Sequence, residues 1–215
     1  MLGLMQDQPL LISSLIEFAE RHHGDAEIVS RRVEGDIHRY TWRDVARRAR
    51  QVANALDAEN LLFSDRVATL AWNGYRHLEM YYGVSGSGRV LHTVNPRLHP
   101  DQIAWIVNHA EDQFLAFDMS FLPLVQAVHA RCPTVKKWIA LCDADKLPAD
   151  SGVPNLVSYE AWLAPHCADY DEMMDRTKTV VVRRELATSG DRIIVTAGVP
   201  FDMPGTTNLL KVETV

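Results

Sequence analysis

The residues of this chain best equipped for chemistry lie in a short glycine and threonine stretch, "VTAGVPFDMPGTTNLLKV", from Val195 to Val212. Gly198, Gly205, Thr206, Thr207 and Asn208 combine unshielded backbone N–H groups with hydroxyl and amide donors, which suits them to holding a phosphate or another anion. The stretch is not a Walker A loop, because no Gly-Lys-Ser/Thr follows and the next element reads as a strand rather than a helix. The same letters also make an ordinary hairpin turn, so an anion loop and a turn stand as alternatives.

A second group of candidates lies beside expected strands. Asn73 follows the apolar run "RVATLA", and His92, Asn95 and His99 fall within "HTVNPRLH". The C-terminal edge of parallel strands is where open α/β sheets place ligands, so these four residues form a candidate sheet-edge site. Helix N-capping by Asn73 and turn hydrogen bonding by the histidines would account for the same residues without a ligand. None of the nine histidines falls in His-Glu-x-x-His, and no cysteine or carboxylate stands at ligand spacing beside a histidine pair, so no metal is expected. Gly83, Gly86 and Gly88 in "GVSGSGR" come after a helix and before a strand, the reverse of a dinucleotide fingerprint. Ser87 occupies the place of the last glycine of a nucleophile elbow, which leaves a helix C-cap and a tight turn as the reading. No catalytic residue emerges.

Composition narrows the setting. With 47% hydrophobic residues, the 215-residue chain can bury a sizeable core. A net charge of -6 and a pI of about 5.8 argue against a nucleic-acid partner or an anionic membrane surface, both of which need a concentrated basic face. The first residues lack the basic region and cleavage site of a signal peptide, and no stretch approaches the roughly 18 continuous apolar residues of a membrane span. Cys132, Cys142 and Cys167 form neither a Cys-x-x-Cys pair nor an even set, so free thiols and a cytoplasmic location are expected.

These residues must be positioned by elements that the patterning outlines. Helical spacing runs from Leu10 to Arg21 with Gly24 placed to stop it, and "AEIVSRRVEGDIHRYTW" reads as a hairpin around Glu34-Gly35-Asp36. Thr41 and Asp44 resemble a capping box opening the helix "WRDVARRARQVANAL", whose Arg47, Arg48 and Arg50 read as a solvated face. From Asp65, short apolar runs ("DRVATLAW", "RVLHTV", "QFLAFD", "KKWIALC") alternate with helix-length segments, the pattern of a parallel sheet with helices on both faces. Asp143 to Ser158 is expected to be a loop or insertion, and Tyr159 to Pro165 one helical turn. After Asp169 come a helical segment, a turn at Ser189-Gly190-Asp191, and the strands "RIIVTAG" and "LLKVETV". The expected fold is α/β: a truncated doubly wound parallel sheet flanked by helices, with a C-terminal helix-strand-strand appendage.

Laid out in this way, "DRVATLAWNGYRHLEMYYGVSGSGRVLHTVNPRLHPDQIAWIVNHAEDQFLAFD" resembles the N-terminal part of bacterial medium- and long-chain fatty-acyl-CoA synthetases, members of the AMP-forming acyl-adenylate superfamily. The resemblance covers residues 1–169. It implies ATP, Mg²⁺, fatty acid and CoA for a complete ligase, whose ATP loop, acidic Mg²⁺ ligand, ribose-binding Asp and C-terminal lysine lie downstream of the matched part. No catalytic residue carries over, and no cofactor is expected for this chain itself. The Gly205-Thr206-Thr207 stretch is similar to the Thr-Ser-Gly-Thr-Thr-Gly-x-Pro-Lys-Gly loop of that superfamily but lacks its Lys-Gly. Residues 170–215 instead resemble the C-terminal end of bacterial pyruvate kinases, where "VTAGVP" and "PGTTN" border an effector site. The resemblance implies a chimera-like chain that lacks either activity. The alternative is a non-catalytic binding or scaffold module, in which the tail strands extend the main sheet and exposed strand edges lead to self-association.

Overall fold

In the computed structural model, which describes residues 7, 9–166, 170–197 and 209–215, the chain divides into two compact units, Met1–His166 and Cys167–Val215. The first unit opens with helix α1 (Ile12–His23), which ends at Gly24. Strands β1 (Glu27–Arg31) and β2 (Ile37–Thr41) pair antiparallel, with Gly35 at φ 103° in the connecting turn, a conformation that suits glycine. Thr41 then caps helix α2 (Trp42–Ala58). Its hydroxyl accepts the Asp44 N–H at 3.3 Å while Asp44 Oδ2 accepts the Thr41 N–H at 3.0 Å, so two otherwise unpaired donors are satisfied reciprocally.

Repeated strand and helix units follow: β3 (Arg66–Leu70), α3 (Tyr75–Gly86), β4 (Val90–Thr93), α4 (Pro100–His109), β5 (Phe114–Phe117), α5 (Leu122–Val128), β6 (Lys137–Ala140), β7 (Leu156–Ser158) and α6 (Tyr159–Leu163). The five strands form one parallel sheet in the order β4-β3-β5-β6-β7. The stretch expected to be a loop from Asp143 to Ser158 thus supplies a fifth strand at its end. Three residues are too few to show a period, and the pairing of Leu156, Val157 and Ser158 with Trp138, Ile139 and Ala140 is what makes them a strand.

Alternation along the strands builds two cores. Ala68, Leu70, Leu115, Phe117 and Trp138 pack with Ile103 and Val107 of α4 and Val125 and Val128 of α5. Val67, Phe114, Ala116 and Ile139 turn to the opposite face, against Val52 and Leu56 of α2, Met80 and Val84 of α3, and Tyr159 and Leu163 of α6. Because helices cover both faces, β5 is buried at every position and reads as the uninterrupted apolar run "FLAF". Each such large side chain removed from water contributes about 1.5–3 kcal/mol before conformational entropy is charged against it. A smaller core joins Ile16, Tyr40, Val45, Ala49 and Tyr75, tying α1 and the hairpin to α2 and α3. Gly83 of α3 lies against α2 so closely that a Cβ there would stand 2.5 Å from Val52 Cβ and 2.7 Å from the Ala49 carbonyl oxygen. Packing, rather than turn geometry, accounts for that glycine, whereas Gly88 at φ 79° is the turn residue.

The second unit holds α7 (Tyr170–Arg183), β8 (Arg192–Ala197) and β9 (Leu209–Thr214). The two strands pair antiparallel with each other from Arg192↔Thr214 to Ala197↔Leu209 and form a two-stranded sheet. Gly190 at φ 96° makes the turn before β8. Gly198, Gly205, Thr206, Thr207 and Asn208 lie outside the described residues, as does Cys167.

Candidate functional site

The sheet order marks the place to look. Strand β3 lies between β4 and β5, and the chain leaves β3 for α3 on one face of the sheet and β5 for α5 on the other. The loops after β3 and β5 therefore diverge at their C-terminal ends, which is the crevice where doubly wound sheets receive ligands. Trp72, Asn73 and Gly74 come from the first loop and Asp118 from the second. Asp118 Oδ2 accepts the Trp72 N–H at 2.6 Å, and burial pushes its carboxyl up to about 6 against the pull of that hydrogen bond. The Trp72 indole N–H donates to Ser120 Oγ at 3.0 Å, and its ring rests 4.9 Å from that of Phe121. His77 stands 3.1 Å from the Trp72 carbonyl through Nδ1 and 3.1 Å from Thr69 Oγ1 through Nε2. A carbonyl only accepts, so Nδ1 carries the proton and Nε2 accepts from the threonine hydroxyl. Burial lowers the pKa of this imidazole and keeps it neutral.

Beside this crevice the hairpin is seated on the sheet edge through buried charges. Arg76, in the first turn of α3, donates to Glu160 Oε1 at 2.9 Å, Glu34 Oε1 at 2.8 Å, Asp143 Oδ1 at 2.5 Å and the Leu141 carbonyl at 3.0 Å. Arg48 of α2 donates to Glu79 at 2.8 Å and Glu160 at 3.0 Å, and the Tyr159 hydroxyl donates to Glu79 Oε2 at 2.8 Å. Arg32 of the hairpin turn holds Asp36 and Asp143, at 2.7 and 2.9 Å. Burial raises the Glu79 pKa in spite of Arg48, whereas at Glu160 Arg48 and Arg76 outweigh burial and hold the carboxyl below its ordinary value. The arginine face expected to be solvated is therefore divided: the Arg48 side chain is only 18% exposed because Glu79 and Glu160 draw it inward, while Arg47 is 45% exposed.

The residues singled out from the sequence are engaged separately. Asn73 is exposed and lines a cleft of about 310 Å³ between β1 and the start of α3, but it is not the cap of that helix. Gly74 takes the N-cap position, and Ser30 Oγ of β1 accepts the Tyr75 N–H at 3.1 Å, so the cap comes from another element. His92 lies within β4, and its Nδ1 is 2.8 Å from Oδ2 of the fully buried Asp112, ahead of β5. Asn95 Oδ1 accepts the Arg97 N–H at 3.0 Å. His99 caps α4: its Nδ1 accepts the Asp101 N–H at 3.3 Å and Gln102 Oε1 accepts the His99 N–H at 3.1 Å. The thiols of Cys132 and Cys142 are buried, and burial pushes each up to about 11. Sequence reasoning passed over Asp118 and Asp143 at the sheet edge. Both carried a usable signal, since each is an acid standing directly after a buried strand run or within three residues of its end.

The family model described as "AMP-binding enzyme" matches residues 15–187, through α7 and past the boundary expected at residue 169. The 3-methylmercaptopropionyl-CoA ligase of Ruegeria pomeroyi is 47% identical over 171 residues, which is 80% of this chain and 32% of that protein. The medium-chain-fatty-acid–CoA ligase of Ectopseudomonas oleovorans is 45% identical over 74% of this chain and 29% of its own length. The crystal structure of the anthranilate CoA ligase AuaEII shares the fold, with a TM-score of 0.63 at 20% identity, covering 77% of this chain and 31% of that one. The chain spans about a third of the length of the curated relatives it matches. Among the described residues no helix is long and apolar enough to cross a membrane. A family match over most of the chain, and the parallel sheet shared with a solved ligase, make this chain a member of the AMP-binding enzyme family.

Proposed function

We propose that most of this chain is the N-terminal part of an AMP-forming ligase that joins an aliphatic carboxylic acid to CoA, and that by itself the chain does not catalyse the reaction. The observation that carries this reading is the 47% identity to a CoA ligase across 80% of this chain but only 32% of that protein. ATP and Mg²⁺ would supply acyl-adenylate formation in a complete ligase, with CoA as the acceptor of the acyl group. The described residues do not fit such a Mg²⁺ site. They hold no group of three or more His, Cys, Asp or Glu placed for a metal ion, and Asp143 and Glu160 at the sheet edge are tied to arginines. The role left to this part is architectural: the ion-paired hairpin and the two-sided core hold a rigid sheet edge. Such preorganisation is what adenylation chemistry requires of its supports.

The AMP-binding match reaches residue 187 and takes in α7, so the expected pyruvate-kinase origin of residues 170–215 is not carried into this reading. The catalytic part of the proposal is tested by incubating the purified chain with ATP, Mg²⁺, CoA and a medium-chain fatty acid and measuring pyrophosphate. Release at the level of the reaction lacking fatty acid is expected, and turnover that depends on fatty acid would overturn the proposal.

A further inference from the structure

A polar cleft between the hairpin, the N-terminal half of α2 and the start of α3 has no part in the reading above. It encloses about 490 Å³, and four arginines line it: Arg32, Arg39, Arg47 and Arg48. Its carboxylates are already committed. Asp44 Oδ2 accepts the Thr41 N–H and hydroxyl, Asp143 is held by Arg32 and Arg76, and Glu160 by Arg48 and Arg76. Two of the arginines keep donors in reserve. Arg47, 45% exposed, reaches Asp44 only across 3.6 Å, beyond hydrogen-bond distance, and Arg39 meets Glu27 through a single nitrogen at 2.8 Å. A guanidinium has five N–H donors in a planar fork that matches an oxyanion.

The second observation is His38. Its ring stacks on Tyr75, with centroids 3.7 Å apart at 15°, and meets Tyr40 edge-on at 4.7 Å, yet its Nε2 is buried and has no hydrogen-bond partner among the described residues. A buried polar atom with no partner in such a cleft marks the position of a missing one, which is an acceptor when Nε2 carries the ring proton. Burial, and then Arg48, Arg32 and Arg76, disfavour a proton on this imidazole more than Glu160 favours one. The cleft lining itself sets four arginines against three carboxylates, Asp44, Asp143 and Glu160, an excess of positive charge that attracts an anion.

We propose that this cleft binds a small oxyanion, a carboxylate or a phosphate, through the N–H groups of Arg39 and Arg47 and the Nε2–H of His38. The test is a titration of the full chain followed by NMR at the His38 ring, its signal assigned with His38→Gln. Inorganic phosphate and acetate are the probes, and chloride at matched ionic strength is the control. A saturable shift with phosphate, acetate or both, absent with chloride, is expected, and whichever probe saturates identifies the oxyanion. Arg47→Ala, at an exposed helix position, should weaken the apparent affinity about tenfold, the loss expected for one charge-assisted contact. If His38→Gln fails to fold, a melting-temperature rise with the same probes, lost in Arg47→Ala and Arg39→Ala, replaces the assignment. A His38 signal that follows ionic strength alone, or a titration unchanged in Arg47→Ala, would overturn the proposal.

Discussion

Replacing Gly83 by alanine sets two physical effects of opposite sign against each other. Alanine is the better helix former by about 1 kcal/mol, so an isolated α3 would gain stability. In the folded chain the new Cβ would stand 2.5 Å from Val52 Cβ, 2.7 Å from Val52 Cγ1 and 2.7 Å from the Ala49 carbonyl oxygen. Neither a Cβ fixed to its backbone nor a backbone oxygen can swing aside, so α2 and α3 must separate and loosen the core formed by Val52, Met80 and Val84. Overpacking of this kind costs about 1–3 kcal/mol, and the upper part of that range applies where backbone has to move. The clash therefore outweighs the propensity gain, for a net loss of about 1–2 kcal/mol. With a urea slope of about 2 kcal/mol/M, the unfolding midpoint should fall by roughly 0.5–1 M. Gly86→Ala is the matched control: its Cβ would meet only Ser13 Cβ at 3.9 Å, so propensity alone acts and the midpoint should hold or rise. A Gly83→Ala midpoint at or above that of the parent chain would refute the argument, and with it the close approach of the helix that carries Arg76.

Two further predictions concern charges. Arg76→Met strands Glu34, 15% exposed, and takes one of two arginine partners from Asp143 and Glu160, which keep Arg32 and Arg48; loss of this shared partner of buried charges should cost about 3 kcal/mol in denaturant unfolding. A loss below about 1 kcal/mol would show that the network contributes little. The pair His92 and Asp112 should make stability fall as pH rises. The Asp112 hydrogen bond raises the His92 pKa above its ordinary 6.5 in spite of burial, so its contribution is complete below that value and is lost as pH climbs through the higher folded one. Burial raises Asp112 above 3.8, which adds a decline of the same sign in the acid range. His92→Gln should flatten the decline above pH 6.5; an unchanged slope in melts from neutral to mildly alkaline pH would rule out His92 as its source.

Much of the fold was legible because it depends on neighbours in sequence. The Thr41 and Asp44 capping box, Gly35 in the hairpin turn and the run "FLAF" each meet their requirement within a few residues. The sheet edge was not legible in the same way. His99 and Asn95 carry polar atoms suited to a ligand, and the structure commits those atoms to the cap of α4 and to a turn. Arg48 sits in a basic stretch that patterning assigns to solvent, and its partners Glu79 and Glu160 lie 31 and 112 residues away. Capping of α3 escaped for the same reason, because Ser30 comes from a strand 45 residues earlier.

By itself the sequence determined the α/β class, most of the strands and helices, the local caps and a ligase-like resemblance, since periodicity and short-range hydrogen bonding act along the chain. The tertiary structure alone decided that Leu156–Ser158 is a fifth strand, that the tail strands pair with each other, that Gly83 is a packing residue, and that a hairpin with its charges occupies the sheet edge. Each of these depends on which distant groups are brought within a few ångströms in a medium of low dielectric. There a partner 100 residues away governs a buried charge more strongly than its sequence neighbours do.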